Sequence, residues 1–597
     1  MLDSKPYHLL GALRLGLPLA LLVGGIVACN NSDDISQEKL IGVESIDGSC
    51  SSASELALIN GKILTVDENN SIFSSLLING DTITDVGDDI DFGPCVEVID
   101  LQGRTVTPGL INNHNHFLRA AIRPGIDVRE LEFAFSITAL QEILTAKAAT
   151  IPVNAGTLSG RDFLHYIDAY HPRQLAEERH PTRAELTSAV PDHPVMIMQY
   201  PFGPIIVNDT ATAFLVDAGL TVPPDGVLGN GTPTELGTIL GVHRALTAGQ
   251  TVADKKRSLR NLMRYAAETG LTGFIDGGGG FPAFGAFDES RDYEALQELF
   301  EEGNIPIRAR AVIQAVINDD NKDDPETGLP SLQTKADLIA GFNGDGHFSY
   351  IGFGENLVGG PLPPFPDQSV YEAAFRIVAE NGLSLQQHAI STTEMDMFLS
   401  AMEAVNADTP VADLHWMLSH IQAVTDDHFS RMKAIGVGAA VQIHFMNGAF
   451  FGEPLGTPSY RQVFDSGVEM SAGTDASYYS PFTWLWHMTT GLQNNGEVAL
   501  QVENTLTREE ALRISTVGSA WNFLEEDRLG SIEVGKLADV VVLSADYLTV
   551  PDDQLRTVKS VLTLVGGKII YSDNTVVSCS DGESSWHVDG SDDRCNY

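Results

Sequence analysis

Basic residues are scarce in this sequence: 36 lysines and arginines stand against 80 aspartates and glutamates, for a formal net charge of −44. This balance argues against a nucleic-acid partner, because binding phosphates requires a basic face. It also keeps the protein off anionic membrane surfaces except through an anchor. The acidic residues are spread along all 597 positions, which is typical of a highly soluble protein from salty surroundings.

Long apolar runs are also lacking. The run from Leu15 to Val27 is shorter than the stretch of about 20 apolar residues that a transmembrane helix needs. Lys5 and Arg14 precede its core, and Ala28-Cys29 follows it, which is the anatomy of a bacterial lipoprotein signal. We therefore expect Cys29 to be lipidated and the protein to be exported and anchored in the bacterial cell envelope, at the periplasmic face or the cell surface. An ordinary secretory signal is the alternative.

Cysteine is absent between positions 96 and 578, which argues against a cysteine nucleophile or thiolate metal ligands in the middle of the chain. Four cysteines remain after Cys29, and an even number in an oxidising compartment predicts two disulfides. Cys50–Cys95 and Cys579–Cys595 are the simplest pairs. Crossed pairing stays open.

What is present divides the chain into β-rich ends and an alternating middle. Short apolar runs with Asn60-Gly61 and Asn79-Gly80, both strong hairpin signals, return as similar runs after Gly535. These two segments predict one small β-sandwich built from both termini. Between them strands alternate with helices, which predicts an α/β fold with a parallel sheet. The eight predicted strands are Thr107–Asn113, Gly273–Asp276, Ile307–Ile313, Tyr350–Gly354, Ser384–Gln387, Trp416–Ser419, Val437–Gln442 and Glu469–Gly473.

Eight strands are the number for a closed (β/α)8, TIM-like barrel. The sequence from about 129 to 246 does not fit the repeat and is predicted to be an insertion after the first strand. The predicted segments are a signal peptide (1–28), a tether (29–52), the amino-terminal β-sandwich segment (53–107), the barrel (108–525), the carboxy-terminal β-sandwich segment (526–575) and a cysteine-containing tail (576–597).

Metal-ligand residue types follow four of the predicted strands. His114 and His116 end the first strand, and His388, His420 and Asp475 end the fifth, sixth and eighth. In a β/α barrel the carboxyl ends of the strands carry the catalytic groups. Histidines there could hold one or two divalent ions, zinc first but also manganese or iron. A bound ion lowers the pKa of its water so that hydroxide forms near neutrality, and an aspartate can carry the proton. His444, after the seventh strand, is a candidate for contacting substrate.

Several stretches resemble the amidohydrolase superfamily. Val98–Gly103 and Pro108–Ile111 precede the His-x-His triplet, and Gly530–Asp539 is similar to the superfamily's return signature. Pro181–Leu186 and Pro191–Val195 look like amidohydrolase family 3, the YtcJ-like group, which includes N-substituted formamide deformylases. The resemblance implies a metal-binding barrel with a β-sandwich, a small-molecule substrate, and hydrolysis of a C–N bond.

One departure from the family concerns the fourth strand. Family members often have a carboxylated lysine that bridges two metals, and the matching position here is Ile351. Either the centre is mononuclear, held by His114, His116, His388 and Asp475, or Glu355 at the end of that strand supplies the carboxylate. We favour Glu355.

The expected function is hydrolysis of a linear amide or of an N-acyl or N-formyl compound by metal-bound hydroxide. Asp475 would carry the proton, and His420 would help to stabilise the oxyanion. A deaminase or cyclic-amide hydrolase is the alternative within the superfamily, although Ser391 stands where mononuclear deaminases have a glutamate. An inactive surface binding protein is the alternative of another class. The sequence does not fix the oligomeric state, and a homodimer is one option.

Overall fold

Eight parallel strands form the central sheet in the computed structural model, which describes residues 55–118, 123–199, 203–229, 236–278, 289–303, 305–342, 344–359, 364–442, 459–475 and 479–577. In chain order these barrel strands one to eight are Leu110–Asn115, Leu271–Asp276, Arg308–Ile313, Phe348–Glu355, Ser384–Ala389, Met417–His420, Gly438–Gln442 and Met470–Gly473. A parallel bridge between Asn115 and Asp475 joins the first edge to the last. The predicted α/β barrel is confirmed.

Helices connect successive barrel strands and cover the outside of the sheet. They are Val252–Glu268, Glu289–Glu301, Leu329–Ala340, Gln368–Glu380, Thr392–Asn406, Asp426–Ile435 and Tyr460–Ser466, with Pro481–Thr490 and Arg508–Asn522 after strand eight. Several begin with a serine or threonine that accepts a hydrogen bond from the backbone of an acidic residue three positions on, as Thr251 does from Asp254 and Thr507 from Glu510. This capping box explains where the helices start.

Two smaller sheets bring the ends of the described chain together. The first contains Glu55–Ile59, Ser75–Asn79, Thr82–Gly87 and Glu97–Asp100. The second contains Lys62–Leu64, Ile72–Phe73, Thr105–Pro108, Val540–Leu543, Ser560–Val565 and Lys568–Ser572. A short helix, Asp552–Leu555, lies between the last groups of strands. One hydrophobic cluster includes Leu58 and Leu76 of the first sheet with Val106, Val540 and Leu562 of the second, so the two β-rich segments share a core.

Two local predictions differ from the structure. Asn79-Gly80 does form a hairpin turn, whereas Asn60-Gly61 does not, because the strands on either side of it belong to different sheets. A Cβ at Gly61 would lie 2.6 Å from the Leu101 side chain, so close packing explains this glycine. The predicted strand Thr107–Asn113 is two strands, in the small sheet and in the barrel, because the chain changes sheets at Gly109, whose backbone N–H donates to Asp539 O at 2.8 Å.

The predicted insertion contains a sheet of its own. Its strands are Ile126–Asp127, Leu164–Tyr170, Val195–Gln199, Ile205–Val207 and Val227–Leu228, and its helices are Ile137–Ala149, Arg183–Ala189, Asp209–Asp217 and Leu236–Thr247. It contacts the barrel through Glu132, which accepts hydrogen bonds from the backbone N–H groups of Tyr479 at 2.9 Å and Ser480 at 3.2 Å. The insertion is thereby tied to the segment that follows barrel strand eight.

Some predictions fall outside the described residues: the signal and tether, His444, and the cysteines at 29, 50, 579 and 595. Cys95 lies within them and is disulfide-bonded, and every other cysteine of the chain is outside them. Within the described ranges, no helix combines the length and the apolar character needed to span a bilayer.

Candidate metal centre

Six side chains meet at the carboxyl ends of five barrel strands. His114 lies in strand one and His116 directly follows it, Glu355 ends strand four, and His388 lies in strand five. His420 ends strand six, and Asp475 lies two residues beyond strand eight. All six are buried, with His388 the most exposed at 7%. The structure thus brings together the five residues predicted from strand ends and Glu355.

Glu355 lies between two pairs of histidines. Its Oε2 is 3.1 Å from His116 Nε2 and 3.7 Å from His114 Nε2. Its Oε1 is 2.5 Å from His388 Nδ1 and 2.9 Å from His420 Nε2. Asp475 joins the first group, with its Oδ1 3.1 Å from His116 Nε2. Each carboxylate oxygen of Glu355 therefore faces a separate set of ligand atoms.

Hydrogen bonds behind the first-strand histidines fix which nitrogen carries the proton. His116 Nδ1 lies 3.0 Å from the carbonyl oxygen of Gly278, and His114 Nδ1 lies 2.6 Å from Gln386 Oε1. Both partners accept only, so each Nδ1 must donate and each Nε2 of the neutral ring presents its lone pair. His116 Nε2 then faces carboxylate oxygens of Glu355 and Asp475, an arrangement that suits a metal ion bound between them.

Burial and neighbouring groups shift the pKa values of the carboxylate and the histidines in this centre. Burial raises the pKa of Glu355, but the surrounding histidines, His116, His388 and His420, outweigh it and hold that pKa well below its usual range. Burial lowers the pKa of His114, and burial together with the nearby His388 lowers the pKa of His420 to about 4. The centre therefore presents an ionised carboxylate beside two imidazoles, His114 and His420, that favour the neutral, metal-binding form, whereas the hydrogen bond and charge of Glu355 raise the pKa of His388.

Backbone contacts between strands one and eight position Asp475. Its N–H donates to His114 O at 2.8 Å, and Asn112 Nδ2 donates to Thr474 Oγ1 at 2.7 Å. Gly473 permits this approach, since a Cβ there would lie 2.7 Å from His114 N. Asp475 and His420 have φ values of 56° and 74°, in the left-handed region that is costly for non-glycine residues and recurs at functional sites.

The donor set fits divalent metal ions. Two groups of ligand atoms lie within 4.8 Å of one another, His114, His116, Glu355 and Asp475 in one and Glu355, His388 and His420 in the other. Ligand atoms about 2.0–2.2 Å from a shared zinc ion lie roughly 3.4 Å apart in a tetrahedral site, and His116 Nε2 and Glu355 Oε2 are 3.1 Å apart. Among the described residues, the buried Nε2 atom of His114 has no hydrogen-bond partner, as expected of a nitrogen that binds a metal ion.

Other residues considered from the sequence have structural roles. Ser391 caps the helix Thr392–Asn406, where Glu394 bonds to its hydroxyl and N–H, so it presents no acid to the centre. His415 donates from Nδ1 to Trp521 O at 2.9 Å and stacks on that ring. His487 is buried and donates from Nδ1 to Leu492 O. Ile351, the family's lysine position, packs with Ile111, Ile275 and Val312.

The sequence analysis did not identify the two groups that accept hydrogen bonds from His114 and His116, which are the Gln386 side chain and the Gly278 carbonyl. Gln386 lies two residues before His388, so strand alternation places both on one face and could have found it. Gly278 could not be found this way, because its contact uses the backbone carbonyl. Its position is set by Asp276, which accepts hydrogen bonds from the N–H groups of Gly278 at 3.0 Å and Leu118 at 2.7 Å.

A barrel with histidines and carboxylates converging at its strand ends defines a metal-dependent hydrolase. The family model Amidohydro_3, described as an amidohydrolase family, matches residues 97–571, so the chain belongs to this family and acts on C–N bonds of small molecules.

Known proteins agree with this assignment. An N-substituted formamide deformylase of Arthrobacter pascens is 25% identical, over 87% of this chain and 98% of its own. The putative amidohydrolase YtcJ of Bacillus subtilis is 22% identical, over 80% of this chain and 91% of its own. The crystal structure of an uncharacterised metal-dependent hydrolase from Pyrococcus horikoshii has the same fold, with a TM-score of 0.55 and 20% identity over 84% of this chain and 99% of that one.

Proposed function

We propose that this amidohydrolase cleaves a linear amide, of the N-acyl or N-formyl type, at a centre of two divalent ions that share Glu355. One observation carries the proposal: the two oxygens of Glu355 face separate histidine pairs, at 3.1 Å from His116 and 2.5 Å from His388. A carboxylate placed in this way can serve as the bridge that the family's lysine provides elsewhere, which a mononuclear centre would not require.

The ligands divide into two sets. His114, His116 and Asp475 would hold one ion, His388 and His420 the other, and Glu355 belongs to both groups. Imidazole and carboxylate ligands suit zinc, and also manganese and iron. When bound, such ions polarise a carbonyl group and make water acidic near neutral pH.

Asp475 is placed to handle the proton. Water adds through oxygen to the carbonyl carbon of the amide, and its proton passes to a carboxylate oxygen of Asp475. The C–N bond then breaks with its electron pair staying on nitrogen, and Asp475 returns the proton there. The products are a carboxylic acid and an amine. His420, whose Nε2 faces Glu355 at 2.9 Å, is assigned as a ligand on this geometry.

The relative named as an N-substituted formamide deformylase supports N-formyl compounds as the first substrates to test. Deamination is less favoured, because Ser391 is a helix cap and leaves no glutamate at that position.

The test combines metal analysis with one substitution. We expect the purified protein to bind about two equivalents of zinc and to release amine from members of a panel of N-formyl and N-acetyl amines. Glu355→Gln keeps the size of the side chain but offers only one oxygen, so bound metal should fall to one equivalent or less and amine release should be lost. The exposed Glu380, in the same barrel, gives the matched control Glu380→Gln, which should behave as the unaltered protein.

Two results would overturn the proposal. A protein without bound zinc, manganese or iron that stays inactive after these metals are added would instead be the surface binding protein. Full metal content and full activity in Glu355→Gln would show that Glu355 does not bridge two ions.

A further inference from the structure

We infer that Gln386 is a positioning residue that fixes His114 and makes the half of the centre at His114 and His116 bind its ion more tightly than the other half. The inference rests on the proposed two-ion centre. It concerns how the chain prepares one set of ligands before any ion arrives.

The orientation of the Gln386 amide is determined by its surroundings. Gln386 is 2% exposed, so hydrogen bonds to water do not determine the orientation of its amide group. Its Nε2 donates to the backbone carbonyl of Asn113 at 3.0 Å, and that carbonyl can only accept. The amide nitrogen must therefore face Asn113, and the amide oxygen must face His114.

This orientation sets the state of His114. Because Gln386 Oε1 accepts only, His114 Nδ1 must hold its proton, and Nε2 keeps the lone pair that faces Glu355 Oε2 at 3.7 Å. The competing tautomer would place two lone pairs 2.6 Å apart in a buried site, which is strongly unfavourable. His114 is thus held as a ligand, in ring position and in tautomer.

In the other half, His388 has less support. His388 directs Nδ1 toward Glu355 itself at 2.5 Å, and its buried Nε2 has no hydrogen-bond partner in the described parts of the chain. The position of its ring is therefore set by Glu355, the shared ligand, and not by an independent group. His116, by contrast, is supported by Gly278 O in the same way as His114 is by Gln386. Preorganised ligands bind more tightly, so the two halves should differ in affinity.

The experiment measures two metal affinities in the full-length protein. The metal-free protein is titrated with Co²⁺ and with Zn²⁺ against a competing chelator, and cobalt absorption reports the coordination at each step. The unaltered protein should show one tight and one weaker site. Gln386→Leu removes the acceptor behind His114, and we expect the tight site to weaken by about 10- to 100-fold while the weaker site changes by less than about threefold.

Two further variants separate positioning from general structure. Gln387→Leu removes a neighbouring, equally buried amide that does not bond to His114, and its two affinities should match the unaltered protein. Gln386→Glu restores an acceptor for His114 and makes the imidazole more basic, so the tight site should recover at least to its original affinity even where thermal stability falls. If Gln386→Leu does not fold, Gln386→Glu still tests the inference. A tenfold loss of affinity at the tight site of Gln386→Glu would overturn it.

Other outcomes also overturn it. These are two equal affinities in the unaltered protein, unchanged affinities in Gln386→Leu, equal losses in Gln386→Leu and Gln387→Leu, or a loss confined to the weaker site. Failure of the unaltered protein to bind Co²⁺ or Zn²⁺ counts against the two-ion centre itself and is distinguishable from these results.

Discussion

In the proposed centre, Glu355 takes the part of the carboxylated lysine that many family members have earlier in the same strand. Ile351 lies four residues before Glu355, which is about 13 Å along an extended strand. There it is buried in an apolar cluster with Ile275 and Val312, where a charged group would have no partner. The carboxylate at the strand end instead reaches all four histidines. The geometry therefore supports Glu355, which the sequence analysis favoured, over a group at position 351.

Asp475→Asn tests the proton carrier directly. The amide keeps the shape and one oxygen of the aspartate, so we expect metal to remain bound. It cannot accept a proton at neutral pH, so amine release should fall by about 10²- to 10⁴-fold. Metal content and kcat on an N-formyl amine that the unaltered protein hydrolyses are the two measurements.

The same substitution at Asp217, exposed on the insertion helix Asp209–Asp217, is its control and should leave both values unchanged. An Asp475→Asn protein with near-normal kcat would remove Asp475 from the mechanism.

The barrel strands were predictable because they are short apolar runs that end in polar residues of unusual type. Burial on both faces explains the runs, as in Leu110–Asn115, which is buried throughout, and the candidate metal centre accounts for the endings. The change of sheet at Gly109 and the failed hairpin at Asn60-Gly61 were not predictable. Both depend on contacts with distant residues, Asp539 and Leu101, and a local pattern carries no information about them.

The substitution Gly473→Ala tests the packing of strand eight against strand one. In Gly473→Ala the added methyl group would lie 2.7 Å from the backbone of His114, so the strands must separate. We expect a loss of about 1–3 kcal/mol in the free energy of unfolding and weaker metal binding, measured by denaturation and metal content.

Gly237→Ala is the matched control. It lies in the helix Leu236–Thr247 with nothing within 4 Å of a Cβ, and alanine there should stabilise the helix by up to about 1 kcal/mol. An unchanged Gly473→Ala protein would show that the two strands tolerate separation.

For the insertion, the sequence predicted the position in the chain but not the internal structure. Its place after strand one was evident, because the stretch interrupts the strand–helix alternation. Its five-stranded sheet and its contact with Ser480 through Glu132 were not predicted, since they require knowing which strands pair.

The net charge of −44 affects the stability of the folded protein as a whole. Many of the few basic groups already pair with acidic ones, on the surface as in Arg376–Asp408 and in the interior as in Arg308–Asp539. Most carboxylates are therefore left to repel one another. Salt weakens exposed ion pairs as well as this repulsion, but exposed pairs contribute little, about 0–1 kcal/mol each. Screening of the repulsion should dominate.

We therefore expect the thermal midpoint to rise by several degrees between about 0.1 M and about 1 M NaCl, as the screening length falls from about 10 Å to about 3 Å. Differential scanning calorimetry gives the measurement, with KCl as the control. Screening depends on ionic strength, so the two salts should act equally and their effect should level off near the upper concentration. A midpoint that falls with salt would mean that the ion pairs outweigh the repulsion. A linear rise that differs between the salts would assign the effect to the salts' action on surface hydration instead.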